Sequence, residues 1–274
     1  MLRKALAGLA LWSLTASAHV ALAEEINVSG STSVSRVMDV LAEDYNAMHP
    51  GSFVAVQGVG STAGIALLKK GVADIGMSSR YLTEGEESDN LVTFNIAFDG
   101  LAVVVNQANE VTNVSREQLY DIYKGKITNW KQLGGADQKI AVVTREASSG
   151  SRYSFESLLG LTRVLNGREV SDISPNNLVV NSNSMVKTLV NHNKQAIGFI
   201  SMGSVDRSVK AMSFEGVAPS NKSIASGEYQ LSRPFMILYL DDKIGDQEKA
   251  FLEYLHSDKA KQLIAEYGYI AVKK

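Results

Sequence analysis

The stretch Thr144-Arg145-Glu146-Ala147-Ser148-Ser149-Gly150-Ser151-Arg152-Tyr153-Ser154-Phe155 decides how this chain is read. Before it, Ile140-Ala141-Val142-Val143 is a short apolar run that reads as a buried strand. After it, Tyr153-Ser154-Phe155-Glu156-Ser157-Leu158-Leu159 reads as a helix. Small hydroxyl residues and a glycine therefore occupy a strand-to-helix turn. The first N–H groups of a helix have no partner within it, and the helix dipole is positive there. Serines add donors, and glycine lets the backbone approach a ligand closely. Arg145 adds a permanent charge on a planar fork suited to tetrahedral oxyanions. Together these residues make an anion cradle. Taken alone, the stretch reads equally well as an ordinary N-cap beside a surface arginine.

Two further stretches shift that balance. Val28-Ser29-Gly30-Ser31-Thr32-Ser33 ends a short strand beginning at Ile26 and opens a helical pattern of Val34, Val37, Met38, Leu41 and Tyr45. Gly58-Val59-Gly60-Ser61-Thr62-Ala63-Gly64 follows the strand Phe53-Val54-Ala55-Val56 and opens a short helix closed at Gly71. A third strand, Ala73-Asp74-Ile75-Gly76-Met77, ends in Ser78-Ser79-Arg80. Strands alternating with helices imply βαβ units and a mostly parallel sheet. Ligands of such sheets bind beyond the carboxyl ends of the strands. All these serine-rich turns lie at such ends, so several helix N-termini are expected to converge on one anion.

The rest of the chain continues the alternation. Leu101–Val105, Leu178–Val180, Ile197–Ile200 and Pro234–Leu240 read as strands. Helices are expected from the capping box Ser115-Arg116-Glu117-Gln118, from Met185 to Val190, and over Asp246–Ser257 and Asp258–Tyr267. The acidic stretch Thr83–Asp89 reads as an exposed loop or a short helix start, Ser213–Glu228 as irregular, and Trp130 as packing.

The composition narrows the function. A net charge of −2 gives no overall attraction to nucleic acid or acidic membranes, so anion binding must be local. The chain has no cysteine, which excludes disulfides, thiol nucleophiles and cysteine metal sites. Arg3 and Lys4, the apolar run from Ala5 to Leu14, and Ala21-Leu22-Ala23 have the form of a cleavable leader over residues 1–23. The mature chain is expected to be exported and soluble. His49, His192 and His256 show no metal-ligand spacing. No G-x-S-x-G elbow or P-loop lysine is present, and Gly58-x-Gly60-x-x-x-Gly64 misses the dinucleotide spacing. Anion cradles without catalytic machinery, cofactor or metal motifs indicate a binding module rather than an enzyme.

The ordered set Gly30-Ser31-Thr32, Gly60-Ser61-Thr62-Ala63-Gly64, Asp74-Ile75-Gly76-Met77-Ser78-Ser79-Arg80 and Arg145-Glu146-Ala147-Ser148-Ser149-Gly150-Ser151 resembles the periplasmic phosphate-binding proteins of Pst-type phosphate ABC transporters. Ala196-Ile197-Gly198-Phe199 and the two terminal helices extend the resemblance over nearly the whole mature chain. It implies an α/β fold of the type II periplasmic-binding-protein kind, with two lobes closing on one inorganic phosphate. It also implies a periplasmic protein that delivers phosphate to a membrane permease with its ATPase, and one set of cradles without a long exposed apolar pattern leads to the expectation of a monomer. By position it carries ligand contact to Thr32, Ser33, Ser61, Ser79, Arg145, Ser149, Gly150 and Ser151. Many longer members have aspartates where this chain has Ser79 and Ala147, which places it in a shorter branch. Arg80 is expected either to face the anion or to brace the hinge, bracing being the preferred reading. The lobes are expected over 24–98 with 229–274, and over 99–228. Asp99, at the first crossover, is expected to accept the proton that phosphate carries and sulfate lacks, and Glu146 to pair with an arginine. Another tetrahedral oxyanion, sulfate or molybdate, and an exported phosphatase-like protein are the alternatives.

Overall fold

A computed structural model describes residues 24–272; the expected leader lies outside the described residues. The chain runs β1 (Glu24–Gly30), α1 (Thr32–Met48), β2 (Ser52–Gly58), α2 (Ser61–Lys69), β3 (Ile75–Ser78) and β4 (Leu91–Val105). Next come β5 (Asn113–Val114), α3 (Arg116–Lys124), β6 (Ala141–Arg145), α4 (Gly150–Leu159) and a hairpin of β7 (Thr162–Leu165) and β8 (Arg168–Ser171). Then follow β9 (Leu178–Val180), α5 (Asn183–His192), β10 (Ala196–Ser201), β11 (Lys210–Ala211), β12 (Ser213–Phe214) and α6 (Asn221–Ala225). The chain closes with β13 (Ser232–Leu240), α7 (Asp246–Leu255), α8 (Asp258–Glu266) and β14 (Ile270–Ala271). Among the described residues no helix is long and apolar enough to cross a membrane.

The main sheet has the order β2-β1-β3-β13-β4-β10-β6-β9, with β11 and β14 also on β4. Its flanks are parallel, β1 with β2 and β3, and β6 with β10 and β9. Its middle is antiparallel, because β13 pairs with both β3 and β4, and β10 with β4. Parallel flanks put the ends of β1, β2, β6 and β9 beside the starts of the helices that follow them, as βαβ geometry requires.

β4 is three times the length expected from Leu101–Val105, at 15 residues. Its first half, Leu91-Val92-Thr93-Phe94-Asn95, lacks the continuous apolar run of its second half. Pairing with β13 along Leu91–Gly100 supplies what periodicity does not. The β7–β8 hairpin was not expected at all. Its tip, Asn166-Gly167, has positive φ at both residues, 51° and 73°. That is the geometry an Asn-Gly pair favours in a two-residue hairpin.

Two large apolar cores flank this sheet. One gathers Val28, Val37, Leu41, Phe235, Phe251 and Ile264. The other gathers Val103, Leu119, Tyr123, Phe155, Phe199 and Leu231. In the second, Phe155 and Phe199 stack at 4.0 Å, with Tyr123 edge-on to Phe155 at 4.6 Å. Burying each such ring stabilises by about 1.5–3 kcal/mol. Along β4 the change of core falls between Ala97 and Leu101. On the return it falls between Leu231 and Phe235, slightly beyond position 229, because Tyr229 and Leu231 pack in the second core.

Candidate functional site

The site is assembled from the ends of strands. At Gly30 the backbone of β1 lies so near β3 that a Cβ would stand 2.0 Å from the Met77 carbonyl oxygen, which only glycine allows. That approach sets Ser31 beside Ser79. Ser31 caps α1 by accepting the N–H groups of Ser33 and Val34, and its hydroxyl donates to Ser79 Oγ at 2.8 Å. Ser61, the first residue of α2, accepts the Ser79 N–H at 3.1 Å. Ser149 caps α4 by accepting the Arg152 N–H at 3.2 Å. Gly150 follows and packs on Ser61 and Ser79. One residue on, Ser151 Oγ lies 3.0 Å from Ser33 Oγ. Thr62 N–H, in α2, donates to the Ser148 carbonyl at 3.2 Å.

Arg145 ends β6 with its side chain fully buried. Its Nε and Nη2 donate to Glu146 at 2.9 and 3.0 Å, so the expected pairing of Glu146 with an arginine is present. Nη2 also donates to Thr32 Oγ1 at 3.0 Å and to the Asn181 carbonyl at 3.1 Å. Among the described residues Nη1 has only Asn183 Oδ1, at 3.4 Å. Its two N–H groups are the part of the fork with donor capacity left. Thr32, Ser33, Ser61, Ser79, Arg145, Ser149, Gly150 and Ser151 thus come together at three helix starts.

Asp99, expected to accept the ligand proton, is buried, and four donors engage its carboxylate. Oδ2 accepts from Arg233 Nε at 3.1 Å and Nη2 at 2.8 Å. Oδ1 accepts from the Ser201 hydroxyl at 3.0 Å and the Met202 N–H at 3.1 Å. Burial pushes its pKa up, and the charge of Arg233 pulls it back.

Sequence reasoning missed two residues. Arg233, 2% exposed, donates through Nη1 to Ser151 Oγ at 2.6 Å. Asn183 begins a fourth helix, α5, and its Nδ2 donates to Ser33 Oγ at 3.0 Å. Asn183 carried a signal, since Asn181-Ser182-Asn183-Ser184 after β9 repeats the strand, polar turn and helix pattern of the other three. Arg233 carried none, standing alone before Pro234 in an apolar strand.

The terminal nitrogens of Arg80 are committed elsewhere, while its buried Nε has no partner among the described residues. Its terminal nitrogens donate to both oxygens of Glu86 at 2.6 and 2.7 Å, to the Tyr81 carbonyl and to Thr62 Oγ1. Its guanidinium also lies over the Tyr153 ring, 4.9 Å from the centroid. It braces the first turn of α2 against α4. Glu86, in the stretch read as an exposed loop or a short helix start, sits in a short 3-10 turn, Glu84–Glu86.

The arrangement therefore surrounds one point with helix N-termini, hydroxyls and buried guanidinium groups, a donor set for an oxyanion. The PBP superfamily domain profile matches residues 15–259 of the chain. The phosphate-binding protein PstS of Bacillus subtilis is 33% identical over 251 residues, 90% of this chain and 80% of that protein. An ABC-type phosphate transport receptor from Vibrio cholerae has a crystal structure at 69% identity and a TM-score of 0.78, covering 90% of this chain and 100% of that one. A protein from Clostridium perfringens assigned as a phosphate ABC transporter substrate-binding protein, solved with bound phosphate, is 35% identical with a TM-score of 0.86, covering 91% and 100%.

Proposed function

The chain belongs to the PstS phosphate-binding proteins of the PBP superfamily, and from that premise we propose that it binds inorganic phosphate and delivers it to an ABC permease for import. The observation that carries this reading is the convergence of Ser33, Ser61 and Ser79 with Arg145, Gly150 and Ser151 at helix starts drawn from opposite ends of one sheet. Phosphate would take N–H and hydroxyl donors from α1, α2 and α4, and the open Nη1 face of Arg145. Thr32 and Ser149 hold this set in place through Arg145 and through the start of α4.

The two cores support a division into two lobes, residues 24–98 with the C-terminal segment, and residues 99–228, joined by β4 and β13. Closure of such lobes over the anion is hinge motion coupled to binding. The protein then works as a periplasmic monomer whose partners are phosphate and the membrane permease with its ATPase. Titration calorimetry of the mature protein with phosphate should give one site per chain. Small-angle scattering should show compaction on addition. Heat with an organic solute and none with phosphate would refute the reading.

A further inference from the structure

Two buried guanidinium groups flank the same serine pair. From Arg145, hydrogen bonds run to Asn183 Oδ1, from Asn183 Nδ2 to Ser33 Oγ, and across to Ser151 Oγ. From the other side Arg233 Nη1 reaches Ser151 Oγ at 2.6 Å. The positive charge of Arg145 bears on Arg233, which places the two cations around one region. A second buried cation aimed at a hydroxyl of the cradle is costly unless an anion compensates it. Asp99 provides part of that compensation, and it is the cross-strand register partner of Arg233 on the two strands that pass between the cores.

We propose that Arg233 is a second anion-recognition residue, and that Asp99 is a positioning residue that aims it at Ser151 instead of accepting the ligand proton. The proposal rests on the phosphate reading above and concerns which groups set affinity and selectivity at that site. Arg233 spends Nε and Nη2 on Asp99, leaving the Nη1 edge for the cradle. Asp99 Oδ1 is held by Ser201 and Met202, so the carboxylate cannot swing toward a ligand without orphaning a buried hydroxyl and a backbone N–H. The carboxylate nearest the other cation, Glu146, is engaged in the same way by Arg145. Each cation thus carries its own carboxylate. Discrimination between phosphate and sulfate then falls to hydroxyl oxygens, Ser79 and Ser151 among them, rather than to a free carboxylate.

The test is calorimetry of phosphate and of sulfate on the parent, on Asp99→Asn, on Arg233→Lys, and on the double variant Asp99→Asn with Arg233→Gln. The double variant removes both charges, so neither is left buried and alone. Circular dichroism confirms its folding. Phosphate binding by the parent checks the underlying reading independently of any variant. The expected result is a phosphate affinity reduced roughly 30- to 1,000-fold in the double variant, from loss of a buried charged contact. Arg233→Lys should recover only part of it. Asp99→Asn should weaken phosphate and sulfate by similar factors and leave their ratio near the parent value. Parent-like phosphate affinity in the folded double variant would overturn the role of Arg233. A selective gain of sulfate binding in Asp99→Asn would make Asp99 the proton acceptor and overturn its positioning role.

Discussion

Gly150→Ala should act as a wedge between the two halves of the site. A Cβ on Gly150 would stand 2.2 Å from Ser61 Oγ, 2.6 Å from Ser79 Oγ and 2.9 Å from Ser61 Cβ. Unstrained contacts of this kind are about 3.5–4.0 Å, so the two sides must part by more than an ångström in rough terms. Ser61 cannot rotate away cheaply, because its hydroxyl accepts the buried Ser79 N–H, and orphaning that group costs about 1–3 kcal/mol. Overpacking by one methyl costs about 1–3 kcal/mol. Parting the surfaces also loses the Ser33–Ser151 bond and the bond from Ser154 Oγ to the Ser79 carbonyl, at about 1 kcal/mol each. Overpacking and the two lost bonds together, about 3–5 kcal/mol, correspond to a loss in phosphate affinity of roughly a hundredfold to a few thousand-fold. The unliganded protein should not suffer, since alanine favours a helix over glycine by up to about 1 kcal/mol. Calorimetry should therefore show weaker binding while the ligand-free melting temperature holds or rises, and scattering should show no phosphate-induced compaction. Binding within threefold of the parent, with normal compaction, would refute the wedge.

Arg145→Ala should lose about 2–5 kcal/mol of phosphate binding, since it removes a charge partner from a desolvated anion. Arg145→Lys should recover only part, because the planar fork that reaches Glu146, Thr32 and Asn183 together is gone; calorimetry on both variants checks this, and parent affinity in both would place Arg145 outside the site. Glu86 is partly buried, which alone would raise its pKa, yet hydrogen bonds and charge from Arg80 hold it below the usual carboxylate range. A depressed folded-state pKa contributes stability above the unfolded value and loses it as pH falls through the folded one. The melting-temperature gap between parent and Glu86→Gln should thus be full at pH 7 and shrink below about pH 4, around the ordinary glutamate value; a gap that widens in acid would contradict the pairing.

The cradles were legible because each is local. A strand, a few small polar residues and a helix follow one another within a dozen positions or so, and periodicity marks both flanks. That pattern marks the stretches around Ser33, Ser61 and Ser151, and the family resemblance carries ligand contact to those residues and to Ser79. The ion pair of Asp99 with Arg233 joins residues 134 apart in sequence, and no local pattern announces it. Asp99 lies on β4 where the strand passes from one core to the other, and the partner it pairs with emerges only when β13 is laid beside β4. The first half of β4 was invisible for the same reason. The Asn166-Gly167 hairpin is different, since its signal was in the sequence and was passed over.

The position of β13 also fixes an order of events. It lies between β3 and β4, so the middle of the sheet is filled by one of the last segments to be made. Residues 99–228 can close most of their own core as they emerge, whereas Val28, Val37 and Leu41 must wait for Phe235, Phe251 and Ile264 to arrive. Contacts of such long sequence separation form slowly. A chain ending before Ser232 would leave the inner side of β3 and the first half of β4 as bare edges, the kind of surface on which strands of other molecules pair. Truncation within the C-terminal segment should therefore produce aggregates rather than a smaller folded protein.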